Sequence, residues 1–279
     1  MAHKFYEIDE YEFTPGSLAL SNDTVKDLAS GKWESSELQL CKKYLMPQDK
    51  ILELGACLGV VSTVVNKMLE QPTNHVVVEA NPTTSKVLQL NKEKNDCHFH
   101  IENCMVFRDH DGKYYPASGA PQSGSTIIHN DSASSLVWKR VINEEGKKEK
   151  QQVVNTDPDK FNQFDFDFIH LPTTTIEALE EKYGFEFNVL IVDIEGGEFQ
   201  FLKENVEILK RIDMLIIEFH HRFDIPGCNK KAHKEAHKLL ESVGLVELKN
   251  EVIVWGKTKP KESKKKRRMQ TPTEAWGRP

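Results

Sequence analysis

The chain has 279 residues, of which 38% are hydrophobic, so it can form one sizeable core with at most a small annex. It contains no apolar run of about 18 residues, so no membrane-spanning helix is expected. The first residues lack the basic and apolar regions of a signal peptide, and the five cysteines include no C-x-x-C pair. These features predict a cytoplasmic protein with reduced thiols and argue against a disulfide framework.

The net charge of −6 is unevenly distributed along the chain. Residues 257–279 carry nine Lys or Arg against two Glu, which leaves −13 on residues 1–256. The acidic body repels nucleic acid, whereas the KKKRR run in the tail is of the kind that binds nucleic acid or directs nuclear import. Because this segment has little apolar content, we expect a disordered basic tail at 257–279.

Hydrophobic periodicity divides the remaining chain into two parts. Residues 1–48 are predicted to be a helical lead-in, since Leu38, Cys41 and Leu45 recur at helical spacing and Pro47 ends the helix. From 49 to 256, apolar strands alternate with helices, which favours a parallel sheet covered on both faces. The seven predicted strands are KILEL, HVVVEA, HFHIEN, NVLIVDI, DMLIIEFHH and a final pair, LVEL and EVIVWG, joined by a KN turn.

Helix boundaries and one long interruption complete the outline of this domain. Pro82 falls in the first turn of one helix, Thr174 and Glu177 form a capping box before another, and Gly184 ends that second helix. The segment GEFQFLKENVEILKR is predicted to be a single helix. Between residues 109 and 170 the alternation stops in a Gly-, Ser- and Lys-rich stretch, where we expect hairpins and a mobile lid over a site.

The stretch ILELGACLGVVS places glycines at the first strand-to-helix turn, where free N–H groups of a helix start can meet a ligand. Glu79 ends the next strand, and an acid there can accept both ribose hydroxyls of an adenosine group. The spacing of Gly55 and Gly59 does not fit the G-x-G-x-x-G pattern of dinucleotide-binding turns. S-adenosylmethionine (SAM) has no phosphate, and Glu53 before the glycines suits its cationic groups.

A terminal antiparallel hairpin on a parallel sheet is typical of class I methyltransferases. Five segments in order, LELGACLGVVS, VVVEANP, TTTIEALEEKYG, VLIVDIEGGEFQFLK and MLIIEFH, resemble the FkbM family of SAM-dependent methyltransferases. The resemblance implies a Rossmann-like, mostly parallel seven-stranded sheet and O-methylation of a hydroxyl on a sugar or natural product. Cys57 stands where the family usually has Asn, and Val192 where it usually has Lys.

The resemblance also implies positions for the cofactor and the acceptor. Trp33 and Glu34 of the lead-in are expected to cover the cofactor, and Glu102 to border its adenine together with Asn103. The predicted cofactor-binding residues are Glu53, Gly55, Ala56, Cys57, Gly59, Glu79, Ala80, Asn81, Asn103 and Asp193.

Catalytic candidates lie where strands end at the ligand edge of the sheet. Asp193, Glu195 and His220 are predicted to act on the acceptor, with Asp193 either taking the hydroxyl proton or only holding the acceptor. A helix-capping role for Asp193 and a simple hydrogen-bonded role for His220 are the alternatives.

We predict no metal, although Asp193, Glu195 and Glu218 together are the kind of oxygen ligands that hold Mg²⁺. The spacing of His233 and His237 fits a metal pair on a helix, but flanking lysines favour a solvated helix face.

The sequence therefore predicts a SAM-dependent methyltransferase acting on a small-molecule or glycan acceptor. Two alternatives stay open: a nucleic-acid methyltransferase or SAM-binding adaptor that uses the basic tail, and a less favoured NAD-dependent dehydrogenase. The acceptor, a metal requirement and the oligomeric state cannot be read from the sequence.

Overall fold

A computed structural model describes the N-terminal and sheet-forming parts of the chain nearly continuously and the central insertion in pieces. The described residues are 4–16, 22–106, 113–115, 126–128, 136–142, 148–154, 169–170, 172–194, 197–220, 230–250 and 253–257. The basic tail from 258 to 279, which the sequence predicts to be disordered, lies outside them. Within the described residues, none of the helices is both long and apolar enough to cross a membrane.

The N-terminal region begins with an antiparallel hairpin that the sequence analysis did not predict. Its strands are β1 (Tyr6–Ile8) and β2 (Tyr11–Phe13), and the helices α1 (Asn22–Ala29) and α2 (Ser35–Tyr44) follow. The lead-in is therefore helical only in its second part, and α2 ends before Pro47 as expected.

The first half of the main domain alternates strands with helices. Its elements in chain order are β3 (Ile51–Leu54), α3 (Val60–Met68), β4 (His75–Val78), α4 (Pro82–Lys94) and β5 (His100–Glu102). The predicted Pro82 is the first residue of α4, and Asn81 caps this helix by accepting hydrogen bonds from the backbone N–H groups of Thr83 and Thr84.

Asparagine side chains attach the N-terminal hairpin to α4. Asn91 Nδ2 donates to the carbonyl of Thr14 at 3.0 Å while its Oδ1 accepts from the Thr14 N–H at 2.8 Å. Asn95 makes the same pair of bonds with Glu12, at 2.8 and 3.0 Å. Each amide thus satisfies a backbone donor and acceptor just as a neighbouring strand would.

Short strands follow in and around the predicted insertion. They are β6 (Met105–Val106), β7 (Lys113–Tyr115), β8 (Thr126–Ile128), β9 (Leu136–Ile142), β10 (Lys148–Val154), β11 (Ile169–His170) and β12 (Thr173–Thr174). Antiparallel pairs join β9 to β10, and β7 to both β8 and β11. The role of this region as a lid stays a prediction.

In the second half of the main domain, strands and helices alternate again. Its elements are α5 (Ile176–Tyr183), β13 (Val189–Val192), α6 (Glu198–Glu204), α7 (Val206–Arg211), β14 (Met214–Ile217), α8 (Lys230–Ser242), β15 (Leu245–Asn250) and β16 (Ile253–Lys257).

Three boundaries differ from the sequence-based expectation. The N-cap of α5 is Thr175 rather than Thr174, because Thr174 belongs to β12 and pairs with Val106. The predicted single helix is split into α6 and α7 at Asn205, whose side chain donates to the Phe201 carbonyl at 2.8 Å. The final turn falls after Asn250, since an irregularity between Glu247 and Lys249 shifts the register of β15.

The seven-stranded sheet has the order β15-β16-β14-β13-β3-β4-β5. Its five strands from β14 to β5 are parallel, and β16 pairs antiparallel with both β14 and β15. This confirms the predicted mostly parallel sheet with a C-terminal antiparallel hairpin. The order reverses between β3 and β13, which is the point where ligands of such sheets bind.

Alternate residues of the central strands point to opposite layers. One face, with Ile51, Ile191 and Ile216, packs against the N-terminal hairpin, α1, α2 and α3. The other, with Leu52, Leu190 and Leu215, packs against the helices from α5 to α8. Because each fully buried aliphatic side chain stabilises the fold by about 1.5–3 kcal/mol, the lead-in is part of the core rather than an appendage.

Candidate active site

The carboxyl ends of β3 and β13 meet at Gly55. Its N–H donates to the Val78 carbonyl at 2.9 Å, and the Asp193 N–H donates to the Leu54 carbonyl at 3.0 Å. A Cβ on Gly55, where φ is +87°, would lie 1.6 Å from the Asp193 carbonyl oxygen. Gly55 is therefore required so that the first turn can lie directly against the end of β13.

Gly59 has a related role at the start of α3. A Cβ there would lie 2.3 Å from Leu88 Cδ1, and φ is +79°. At both glycines the missing side chain makes room for the protein itself, and their contact with a cofactor stays a prediction. The turn is thus held in shape by close packing on two sides.

Between the glycines, Cys57 offers its backbone rather than its thiol. Its φ is 49°, and its N–H donates to Glu79 Oε2 at 2.9 Å. Burial, followed by the Glu79 carboxylate, raises the pKa of the Cys57 thiol well above its ordinary value. The thiol is therefore neutral and is not an activated nucleophile.

Glu79 lies just after β4 with its carboxylate buried between two backbone donors. Oε1 accepts from the Asn81 N–H at 2.7 Å and Oε2 from the Cys57 N–H. Burial raises the pKa of this carboxyl to about 7, against the lowering effect of the two N–H groups. Each carboxylate oxygen has two lone pairs, so each keeps one to accept a hydrogen bond from one of the predicted pair of ribose hydroxyls.

The loop after β4 is braced by asparagines. Asn103 Nδ2 donates to the carbonyls of Glu79 and Ala80, at 2.7 and 3.0 Å, and the Asn81 side chain caps α4. These bonds hold in place the backbone of the loop that carries Glu79. Direct contacts of Ala56, Ala80, Asn81 and Asn103 with a cofactor stay predictions, and so does the adenine contact of Glu102, which pairs with Lys182 and Tyr183.

Glu53 has a different role from the one expected. Its carboxylate accepts from Ser62 Oγ at 2.7 Å and contacts His75 Nε2 at 3.0 Å, and all three residues are buried. This network links β3, α3 and β4 inside the protein, where a cofactor cation would have to displace an internal partner. We therefore assign Glu53 to the support of the first turn.

The lead-in contacts the first turn through Trp33 and Glu34, while their predicted role of covering the cofactor stays a prediction. Trp33 packs in the same cluster as Cys57, and the Glu34 carboxylate is close enough to contribute to the raised pKa of Cys57. Glu34 has φ 56° and makes no side-chain capping bond to α2. A non-glycine residue in this conformation is uncommon and is often found at functional sites.

A second group of side chains lies beyond β13 and β14. His220 Nδ1 is 3.0 Å from Glu198 Oε1, while its Nε2 is 3.7 Å from Asp193 Oδ1 and 3.9 Å from Glu218 Oε1. Glu198, in the first turn of α6, is 0% exposed. The structure thus brings two predicted residues, Asp193 and His220, together with a third, Glu198, that the sequence analysis did not select.

Glu37 adds an acid from α2 to this group. Burial, followed by a side-chain hydrogen bond with Glu218, raises the pKa of the Glu37 carboxyl to about 7. The Glu37 carboxyl is therefore protonated in about half of the molecules at neutral pH and can donate its proton to Glu218. Sequence reasoning had no signal for this contact, because α2 and the end of β14 are far apart in the chain.

One predicted catalytic residue, Glu195, lies outside the described residues. Among the residues that are described, Asp193, Glu198 and His220 form a group whose possible ligand atoms lie within 4.8 Å of one another, which is spacing that would admit a metal ion. Of the three acids considered as metal ligands from the sequence, Asp193 belongs to this group and Glu218 does not, while Glu195 lies outside the described residues.

The histidines of the HKEAH segment do not form the solvated helix face that was predicted. Both are half-buried on α8. The ring of His233 is 4.9 Å from that of Phe219, and the ring of His237 is 5.1 Å from that of Trp255. Lys234 within this segment and the flanking Lys231 and Lys238 are exposed, so the two histidines, and not the lysines, face the sheet.

Comparisons with solved structures gave similarities at low identity. An NADB-Rossmann superfamily protein from Streptococcus agalactiae is 10% identical with a TM-score of 0.41, over 83% of this chain and 72% of that one. Ribosomal protein L11 methylase from Lactobacillus delbrueckii subsp. bulgaricus is 9% identical with a TM-score of 0.41, over 88% and 84%. M. jannaschii TYW2 in complex with AdoMet is 11% identical with a TM-score of 0.39, over 91% and 84%.

These similarities are too weak to say anything about the substrate. No curated protein sequence matches the chain. A family model described as the methyltransferase FkbM domain matches residues 53–245, which include the first turn, Glu79 and the side chains around His220. The chain therefore belongs to the FkbM methyltransferase family and is a SAM-dependent methyltransferase.

Proposed function

We propose that this protein is an O-methyltransferase that acts on a hydroxyl of a sugar, a glycan or a natural-product-like acceptor in the cytoplasm. The observation that carries the proposal is the contact between His220 Nδ1 and the buried Glu198 carboxylate. A hydroxyl must lose its proton as the new O–C bond forms, and this pair is built to accept one.

The cofactor fits the edge formed by the first turn and Glu79. SAM, when bound, supplies a methyl group activated by its sulfonium. Glu79 accepts hydrogen bonds from the ribose hydroxyls. The turn from Gly55 to Gly59 supplies the surface beside them, since the N–H groups of Gly55, Cys57 and Gly59 are bonded within the protein. Trp33 and Glu34, which belong to the lead-in, cover the cofactor on this side.

His220 serves as the general base. With Nδ1–H donated to Glu198, the lone pair of Nε2 is left on the side of Asp193 and Glu218, and there it takes the hydroxyl proton. Glu198 then stabilises the imidazolium because a carboxylate lies on its Nδ1 side. Asp193 orients the acceptor hydroxyl beside the end of the first turn.

The experiment incubates the protein with tritium-labelled SAM and fractionated host extract, and then with the acceptor purified from the labelled fraction. His220→Gln should lower turnover of that acceptor by about 10²–10⁴-fold with SAM affinity unchanged. His98→Gln, whose side chain is 60% exposed, is the matched control and should keep full activity. Unchanged turnover of His220→Gln, or a labelled product in which the methyl group is not on oxygen, would contradict the proposal.

The basic tail favours one alternative, a methyltransferase or SAM-binding adaptor that acts on nucleic acid. Deletion of residues 258–279, which leaves β16 whole, separates the two. A sugar or natural-product enzyme keeps its activity after the deletion. A nucleic-acid enzyme loses salt-sensitive binding to RNA or DNA together with its activity.

A further inference from the structure

Two histidines on α8 face each other outside the candidate active site. His233 and His237 lie one helical turn apart, and their Nε2 atoms are 2.7 Å apart. At that distance one nitrogen donates its proton and the other accepts it, so at least one ring is neutral. Both rings therefore direct the same nitrogen to the same point.

A carboxylate lies behind one of these rings. Glu247 Oε2, on β15, is 3.4 Å from Nδ1 of His237. Histidines that ligate metals through Nε2 commonly donate their Nδ1–H to a carboxylate, which fixes the tautomer and the ring orientation. Glu247 is placed to do this for His237.

Aromatic rings fix the positions of the pair on the other side. Phe219 lies 4.9 Å from the His233 ring and 6.0 Å from the His237 ring, and Trp255 lies 5.1 Å from His237. Phe219 itself stacks on Phe199 at 5.2 Å. Because both rings are half-buried against this wall, few other rotamers are open to them.

We propose that His233 and His237 form a binding site for one divalent transition-metal ion of the imidazole-preferring type, such as Zn²⁺ or Cu²⁺. Imidazole nitrogens about 2.0–2.1 Å from such an ion are about 3.3 Å apart in tetrahedral geometry and about 2.9 Å apart at a right angle. The pair at 2.7 Å needs only a small opening to reach either distance. Solvent fills the remaining coordination positions.

This site differs from the group around His220. Its ligands come from α8 alone, whereas Asp193, Glu198 and His220 follow β13 and β14 or lie in α6. The proposal is independent of the assignment of His220 as a base, and metal binding to the full chain can be measured without an acceptor.

The test is a titration of the full-length protein with ZnCl₂ in competition with a chromophoric chelator. We expect one Zn²⁺ per chain, with affinity reduced at least about tenfold by either His233→Gln or His237→Gln and by a smaller factor in Glu247→Gln. His98→Gln and His220→Gln should leave the affinity unchanged. Unaltered affinity in both folded pair variants, or loss of binding in His220→Gln, would overturn the proposal.

Spectroscopy of the unsubstituted protein provides a check that does not depend on the folding of any variant. Electron paramagnetic resonance with one equivalent of Cu²⁺ should show coupling to two imidazole nitrogens. A spectrum with one nitrogen or none would overturn the proposal even if every substituted protein failed to fold.

Discussion

The edge proposed for the cofactor and the edge proposed for the acceptor, called here the cofactor edge and the acceptor edge, are built in different ways. At the cofactor edge, from Gly55 to Glu79, the chain is positioned mainly by backbone groups: N–H donors hold Glu79, and Gly55 lies against the Asp193 carbonyl. At the acceptor edge, His220 is positioned by carboxylates from several elements. One edge depends on local chain geometry, and the other on side chains that the fold brings together.

The two edges should therefore tolerate different kinds of substitution. A backbone-built site accepts changes in most side chains but not in its glycines, because their conformation and the space around them are fixed. A site built from side chains can lose one group and keep the fold, so its chemistry can change without loss of the cofactor. The following substitutions test this division.

The largest effect should come from Gly55→Ala. The new Cβ would lie 1.6 Å from the Asp193 carbonyl oxygen at a φ of +87°, so the first turn or the end of β13 must move. We expect a loss of at least about 3 kcal/mol in the free energy of unfolding and no measurable SAM binding. Denaturant unfolding and calorimetry would measure the two quantities.

Gly184→Ala is the matched control for this change. Gly184 also has a positive φ, of +76°, but a Cβ there would have no atom within 4 Å. We expect a loss of about 1 kcal/mol, from backbone strain alone, with SAM affinity unchanged. Equal losses for the two variants would show that the close packing at Gly55 is not what constrains the turn.

At the acceptor edge, Asp193→Asn should slow turnover at least about tenfold while SAM affinity stays within about twofold. The carboxylate is lost, but the backbone of Asp193, which packs on the first turn, is kept. Asp96→Asn, at a side chain that is 88% exposed, serves as the control. A weakened SAM affinity in Asp193→Asn would show that the two edges are not separable.

The affinity for SAM should rise with pH through the titration of Glu79. Its carboxyl has a pKa of about 7 in the protein, and the ionised form accepts hydrogen bonds from both ribose hydroxyls more strongly than the protonated form, one oxygen of which carries the proton. Because the bound state favours ionisation, we expect about tenfold tighter binding at pH 8 than at pH 6. In Glu79→Gln this part of the pH dependence should disappear, and a slope equal to that of the unsubstituted protein would exclude Glu79.

The smallest effect should be on stability, through Glu37. Its pKa is raised from 4.5 to about 7, so the folded state binds more protons than the unfolded state between these values. Stability therefore falls as pH rises from about 4.5 to about 7 and is then level. Glu37→Gln should be more stable than the unsubstituted protein at pH 8 by about 1 kcal/mol, because solvent reduces the value of about 3 kcal/mol that the full shift would give, and by much less at pH 5.

Glu207→Gln is the control for this change, because the Glu207 side chain is 76% exposed. Thermal unfolding at pH 5 and pH 8 should give the same stability for this variant as for the unsubstituted protein. A Glu37→Gln variant that behaves in the same way would mean that Glu37 does not titrate in the expected range.

The two edges also differ in how far the sequence could predict them. Apolar runs located every strand of the main sheet, and Gly184 ends α5 as predicted, because both signals are local. The position of the first turn after β3 and that of Glu79 after β4 were predictable for the same reason, while their role in cofactor binding stays a prediction. Glu198 was not selected, since its partner His220 is 22 residues away and only the fold brings them together.

The errors in the fold have similar causes. The strands of the N-terminal hairpin have three residues each, which is too short for alternation to be visible. The break between α6 and α7 arises from one hydrogen bond of Asn205, a residue that helices tolerate. Glu53 was selected as a cofactor contact because it precedes the glycines of the first turn. Its partners Ser62 and His75 lie in α3 and β4, and the spacing of residues around the turn gives no sign of them.

The asparagine contacts of the hairpin have a consequence for how this protein can be cut or recombined. The segment shared with the family, 53–245, excludes both the hairpin bound to Asn91 and Asn95 and the strand β16 between β14 and β15. A fragment with those limits would expose one apolar face of the main sheet. It would also leave β14 as an unpaired edge strand that can pair with strands of other chains. The segment that matches the family is therefore shorter than the segment that packs into one core. Chimaeras of this protein should be joined outside 4–257.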